Sequence, residues 1–61
     1  MPLEILTVKE AASYMRSSDW KIYMMVKAGQ IPHFRVGGKI LFRKETLDQW
    51  MAGQERKSVN I

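Results

Sequence analysis

The sequence has no cysteine and one histidine, His33, among its 61 residues. The first absence excludes a disulfide, and the two together exclude a zinc site of the common Cys/His type. No apolar run is longer than five residues, and the first six residues lack the basic and apolar stretches of a secretion signal. We therefore expect a cytoplasmic domain that uses no metal or cofactor and enters no membrane.

A stable fold of this length depends on strong local signals, because chains below about 70–80 residues usually need a staple such as a disulfide. The first signal is Thr7-Val-Lys-Glu10, which has the spacing of a capping box. Apolar residues then recur at helical spacing, at Val8, Ala11, Ala12 and Met15. This pattern predicts a first helix over about residues 8–15.

A second helix is predicted after a short turn. Ser18 is a favourable N-cap residue, and the apolar stripe that follows consists of Ile22, Met25 and Val26. Gly29 is suited to end the helix in the left-handed conformation, which gives a helix over about 19–28. The link between the two helices is about three or four residues long, which is the spacing of a helix-turn-helix.

Residues 31–43 change to the alternating pattern of a β-hairpin around Gly37-Gly38. A two-residue loop would pair Val36 with Lys39 and divide the apolar side chains between the two faces. A three-residue loop that includes Lys39 would collect four of them on one face, namely Phe34, Val36, Ile40 and Phe42. We therefore predict the three-residue loop, with a glycine in the left-handed conformation. The outer face then carries Arg35, Leu41 and Arg43.

A third helix is predicted over residues 44–51, with an apolar face of Leu47, Trp50 and Met51. Gly53 is suited to stop it. The order helix, turn, helix, hairpin, helix predicts a mainly α fold with a small β-hairpin, a winged helix-turn-helix. We divide the chain into an N-terminal arm (1–6), the winged domain (7–52) and a flexible C-terminal tail (53–61).

Positive charge is concentrated in the middle of the chain. Residues 16–44 carry seven basic side chains and one acidic one, a net charge of +6. The remaining residues carry three basic and five acidic side chains, a net charge of −2. A basic stripe on a helix and hairpin that fit a groove is typical of nucleic-acid binding.

Several segments of the chain resemble the excisionase-type DNA-binding domains, small MerR-like winged helices of phages and integrative mobile elements. The most specific of them are Lys27-Ala-Gly-Gln-Ile-Pro32 and Phe34-Arg-Val-Gly-Gly-Lys39, and the resemblance covers about residues 5–52. It implies that the second helix enters the major groove of double-stranded DNA and that the hairpin contacts the flanking minor groove or backbone. The expected DNA-binding residues are Arg16, Ser18, Trp20, Lys21, Tyr23, Met24, Lys27, Arg35, Lys39 and Arg43.

The resemblance further implies an excisionase, or recombination directionality factor, of bacterial or phage origin. Such a protein bends or organises attachment-site DNA for a separate integrase of the tyrosine type, and adjacent copies can associate on the DNA. No catalytic residues and no small-molecule substrate are expected. Asp19 and Met24 stand where relatives often have arginine, so the base preference of relatives does not carry over.

Two other functions stay open at the level of sequence. A small transcriptional regulator can use the same winged helix. A protein-interaction adaptor could instead use exposed apolar side chains at Trp20, Met24 and Leu41. Trp20 lies off the apolar stripe of its helix, so it is a candidate for packing on the hairpin, for DNA contact or for a protein contact. We expect His33 to be a structural or surface histidine.

Overall fold

The computed structural model describes residues 4–59 of the chain. Three helices and a small antiparallel sheet of three strands make up this part, which confirms the predicted winged helix-turn-helix architecture. The elements in chain order are β1 (Ile5–Thr7), α1 (Val8–Tyr14), α2 (Asp19–Lys27), β2 (Phe34–Val36), β3 (Lys39–Arg43) and α3 (Lys44–Val59).

Strand β1 is an element that the sequence analysis missed, because a three-residue strand carries almost no alternating pattern. It pairs antiparallel with β3, which becomes the central strand in the order β1-β3-β2. Leu6 is buried beside Phe42, its partner across the pair. Residues 5 and 6 of the predicted N-terminal arm (1–6) thus belong to this strand, while residues 1–3 lie outside the described part.

The capping box at the start of α1 is confirmed. The Thr7 amide donates to Glu10 Oε1 at 2.9 Å, and the Glu10 amide donates to Thr7 Oγ1 at 3.2 Å. Thr7 is also the last residue of β1, so the strand passes into the helix with no intervening loop. Each bond satisfies an amide that a helix start would otherwise leave without a partner.

The turn between α1 and α2 contains an unusual backbone conformation at Arg16. Its φ is 56°, in the left-handed region, where a side chain with a Cβ is disfavoured by about 1–2 kcal/mol. The surrounding turn is held by the Ser17 amide, which donates to the Ala12 carbonyl at 2.7 Å. A glycine at this position would adopt the same conformation without the steric cost.

Replacing Arg16 by glycine is therefore expected to raise the free energy of unfolding by about 0.5–1 kcal/mol, measured by urea denaturation. Arg16→Ala is the matched control, because it removes the same charged side chain but keeps the Cβ. Equal stability of the two variants would contradict the strain assigned to this residue.

Helix α2 begins and ends close to the predicted positions. The Ser18 hydroxyl accepts from the Lys21 amide at 3.2 Å, as expected of an N-cap. At the other end Gly29 has a φ of 69°, and the Gln30 amide donates to the Met25 carbonyl at 2.9 Å. These bonds end the helix in the left-handed manner typical of glycine.

The register predicted for the hairpin is wrong. Val36 pairs with Lys39 and Arg35 with Ile40, so the loop has two residues and not three. Gly37 and Gly38 have φ angles of 55° and 87°. Two successive left-handed residues form the tight turn whose twist matches that of the paired strands, and this turn outweighs the gain from collecting four apolar side chains.

The corrected register divides the hairpin side chains differently between the faces. The core face carries Ile40 and Phe42. The apolar partner of Phe42 is Leu6 of β1, whereas the predicted register had given it a partner in β2. Arg35 lies on this same face, where its side chain is exposed, and not on the outer face as predicted. The outer face instead carries Ile5, Phe34, Val36, Lys39, Leu41 and Arg43.

Helix α3 continues through Gly53 to Val59, so the predicted stop at Gly53 is wrong. A glycine inside a helix costs about 1 kcal/mol relative to alanine but does not by itself end the helix. The second half of α3 also borders a groove with the end of α2, which is lined by Met25, Gln30, Trp50, Gln54 and Lys57. The helix thus crosses the predicted boundary of the tail, of which Asn60 and Ile61 lie outside the described residues.

The core draws on all three helices, on β1 and β3, and on the loop after α2. Its largest fully buried side chains are Phe42, Ile22 and Leu47. Strand β2 contributes no buried residue. Among the residues whose side chains the structure describes, the buried apolar ones are Leu6, Val8, Ala11, Ala12, Ile22, Val26, Ile31, Phe42 and Leu47. Within residues 4–59, no helix is both long and apolar enough to cross a membrane.

Candidate nucleic-acid interface

Helix α2 presents a free outward face opposite its buried residues. Ile22 and Val26 point into the core. The residues of the outward face follow one another at intervals of three and four positions, which places them on one side of a helix. They are Trp20, Tyr23, Met24 and Lys27, and all four are exposed. We call this set the α2 stripe.

Three members of the α2 stripe are large apolar side chains. Trp20 is 67% exposed, Tyr23 52% and Met24 46%. The high exposure of Trp20 leaves little of its ring packed on the hairpin, so that interpretation is not supported. Met24 points outward as the sequence predicted.

The N-terminal end of α2 gathers polar and charged side chains. The Ser18 oxygen is occupied as the helix cap, but its hydroxyl hydrogen is still available to donate to an acceptor such as a phosphate. Lys21 lies in the first turn with an exposed side chain. Arg16 is exposed in the turn that leads into the helix. Backbone amides and cations at a helix start favour an anion there, whereas Asp19 opposes one.

The tip of the hairpin lies beside the α2 stripe. Gly38, Lys39 and Ile40 share a shallow depression with Tyr23 of α2. The start of α1 completes the depression through Thr7, Val8 and Lys9. The structure therefore places Lys39 at the same depression as Tyr23, one member of the α2 stripe.

Lys9 is a candidate that sequence reasoning missed. It was grouped with the acidic part of the chain, because the charge was divided by position along the sequence. In the fold its exposed side chain borders the same depression as Tyr23 and Lys39. No local motif indicated this, since the contact depends on β1 placing the start of α1 against the hairpin.

Arg43 and Arg35 are not gathered at this interface. Arg43 lies on the outer face of the sheet, in a depression with Pro32, His33, Phe34 and Thr46. Arg35 is exposed on the edge strand β2. His33 donates from Nδ1 to the Ile31 carbonyl at 2.9 Å, which fits the expected structural role.

Lys44 belongs to the basic segment, but an acidic neighbour reduces its local effect. The Tyr14 hydroxyl donates to Asp48 Oδ1, and Lys44 Nζ lies 3.6 Å from Asp48 Oδ2. The same ammonium lies 5.1 Å from the centroid of the Tyr14 ring. Its hydrogen bond with Tyr14, and next the charge of Asp48, raise the pKa of Lys44 above its ordinary value. This cluster joins α1 to α3 and leaves less positive charge for a partner than the sequence count suggests.

Two short helices joined by a tight turn, with a free second helix and a hairpin beside it, define a winged helix-turn-helix domain. The chain belongs to the helix-turn-helix domain family, whose sequence profile matches residues 5–55. Membership supports double-stranded DNA as the partner, and domains of this family are typically non-enzymatic. No curated protein and no solved structure matches the chain. Among residues 4–59 no group of His, Cys, Asp and Glu side chains could hold a metal ion.

Proposed function

We propose that this protein binds double-stranded DNA sequence-specifically, with α2 in the major groove and the hairpin tip on the flanking backbone or minor groove. The observation that supports this most is the position of Lys39 beside the outward face of α2. In helix-turn-helix complexes the residues at the start of the second helix contact base edges. The protein itself makes or breaks no bond.

Phosphate contact is the proposed role of the basic side chains around α2, because phosphate and sugar contacts make up half to two-thirds of protein–DNA hydrogen bonds. Lys21 and Lys27 flank the base-contacting residues, and Lys39 approaches from the hairpin. Arg16 and Ser18 serve the start of the helix. Lys9 of α1 is a further proposed phosphate contact. Arg35 and Arg43 would contact DNA only if the DNA bent around the domain beyond α2 and the hairpin tip.

Within DNA binding, we propose the role of an excisionase that bends or organises attachment-site DNA for a tyrosine-type integrase in a bacterial or phage-infected cytoplasm. The resemblance of the Lys27–Pro32 and Phe34–Lys39 segments supports this role. Adjacent copies would associate on the DNA, since one domain this small offers few base contacts. The exposed apolar side chains of the outer sheet face, Ile5, Phe34 and Val36, are available for such contacts.

A charge-reversal pair tests the DNA-binding surface. Lys27→Glu is expected to weaken binding to duplex DNA at least tenfold at about 50 mM salt, because it removes one phosphate contact and adds repulsion. Arg56→Glu is the matched control: it causes the same change in net charge, and each residue lies in the last turn of its helix. Fluorescence anisotropy with labelled duplexes measures both. Equal losses would place the interface away from α2.

A recombination assay tests the excisionase role. Purified integrase from the same genetic element is mixed with DNA that carries the attachment sites, with and without this protein. Excision that depends on the protein is the expected result. Unchanged recombination despite DNA binding would favour a transcriptional regulator, and failure to bind any duplex would favour the adaptor, for which the exposure of Trp20 and Met24 is the supporting observation.

A further inference from the structure

The start of α2 combines two properties that together restrict what it can read in DNA. The large apolar side chains exposed in its first two turns are Trp20, Tyr23 and Met24, beside the charged Asp19 and Lys21. The helix contains no arginine, asparagine or glutamine. It therefore lacks the side chains that form paired hydrogen bonds with adenine, and its side chains able to pair with guanine are limited to Lys21 and Lys27, which are assigned above to phosphates.

Thymine is the base that an apolar surface can distinguish in the major groove. Its C5-methyl group projects into that groove, where cytosine has a hydrogen at the same carbon. A tryptophan ring and a methionine thioether can exclude water from that methyl without needing a donor or acceptor. The ammonium groups of lysines outside this apolar surface can still attract the phosphates of the DNA backbone.

We propose that Trp20 and Met24 recognise the methyl groups of neighbouring thymines, so that the target of this protein contains a run of A·T pairs. The inference rests on the proposed DNA binding and specifies what is read. Side chains four residues apart on a helix stand about 5–6 Å apart at their Cβ atoms. Successive bases of one strand are about 3.4 Å apart along the axis, so this pair of side chains is spaced to reach two neighbouring bases.

The neighbouring side chains are placed to contact the DNA backbone and not the bases. Tyr23 turns towards the depression at the hairpin tip, where its neighbour is Lys39. Lys27 lies one turn beyond Tyr23 on the same exposed side. Both lysines can reach phosphates while Trp20 and Met24 occupy the groove. Affinity and base preference would thus depend on different residues.

Replacing thymine by uracil removes the methyl group and leaves every hydrogen-bonding atom of the base in place. The full chain is titrated at about 50 mM salt with three duplexes of equal length that have one base type per strand: dA paired with dT, dA paired with dU, and dG paired with dC. We expect the uracil duplex to bind more weakly by about fourfold for each methyl group buried, roughly fifteenfold for two. A duplex of dG with 5-methyl-dC restores a methyl at the same groove position and is expected to bind more tightly than dG–dC.

Variants locate the effect on the protein. Trp20→Ala and Met24→Ala are each expected to reduce the thymine-to-uracil ratio towards one, while Trp20→Phe keeps most of it. Lys39→Ala is the control, since loss of a phosphate contact weakens both duplexes equally and leaves the ratio unchanged. Thermal unfolding checks that the variants are folded, as expected for residues this exposed.

The outcomes separate the inference from the function on which it rests. Tight binding with equal affinity for the thymine and uracil duplexes overturns the methyl recognition but leaves DNA binding intact. A preference for thymine that survives both alanine variants also overturns it, because the methyl would then be read by another residue. Absence of binding to all the duplexes overturns the proposed function as well.

Discussion

Phe42→Ala is expected to lower the free energy of unfolding by about 3–5 kcal/mol, because it empties a fully buried aromatic site. Domains have a stability of roughly 0.05–0.15 kcal/mol per residue, which gives about 3–9 kcal/mol for this chain. The substitution therefore removes a large part of the total, and much of the protein is expected to be unfolded at 37 °C. Urea and thermal denaturation followed by circular dichroism measure the change.

Phe34→Ala is the matched control, because it removes the same side chain from the same hairpin. Phe34 lies on the outer face of the sheet and is 38% exposed, so we expect a loss of about 1–2 kcal/mol. The comparison also tests the register of the hairpin. Similar losses for the two variants would contradict the two-residue loop and restore the predicted arrangement with both rings in the core.

Raising the salt concentration from about 50 to 200 mM is expected to weaken DNA binding a few hundredfold. Each neutralised phosphate contributes about −0.9 to the slope of log K against log salt concentration. The basic side chains placed around α2 and the hairpin tip are Lys9, Arg16, Lys21, Lys27 and Lys39. Four or five such contacts give a slope of roughly −3.6 to −4.5. Anisotropy titrations at four salt concentrations measure it.

Lys39→Ala provides the internal check on this slope. Removal of one phosphate contact is expected to make the slope less steep by about one unit and to weaken all sequences alike. A slope that stays the same would remove Lys39 from the interface. Binding that hardly depends on salt would contradict the electrostatic basis of the proposed complex.

The helix-turn-helix could be predicted because its signals are local. Thr7 with Glu10 caps one helix, Ser18 caps the next, and Gly29 ends it, each through bonds within a few residues. Such patterns determine the backbone regardless of what packs around it.

The sheet and the end of α3 could not be predicted in the same way. For the hairpin register, turn geometry favoured a two-residue loop and apolar pairing favoured a three-residue loop. The argument from apolar pairing considered only the two strands of the hairpin. The missing neighbour was Leu6 in β1, which is distant in sequence. Likewise, the continuation of α3 past Gly53 is accompanied by a groove shared with Met25 and Gln30. A contact between distant segments thus bears on the register, whereas the exposed residues after Gly53 continue the helix because one glycine weakens a helix without ending it.

For the candidate interface, the sequence predicted which helix is exposed but not how the side chains are grouped. The α2 stripe follows from helical spacing, and all its members were among the expected residues. The sheet determines that Arg43 lies apart from Lys39 and that Lys9 borders the same depression as Lys39. The cluster of Tyr14, Lys44 and Asp48 likewise joins residues from two helices that no local pattern connects.

The direct passage from strand to helix has a consequence for how this scaffold can change. Thr7 leads from β1 into α1, and Arg43 leads from β3 into α3, each without a spare residue. An insertion at either junction would displace a core element. The Gly37-Gly38 tip is different, since a Cβ at either glycine would meet open space. Extra residues there would lengthen the wing and extend its reach along DNA, while the positions of the helices stayed unchanged.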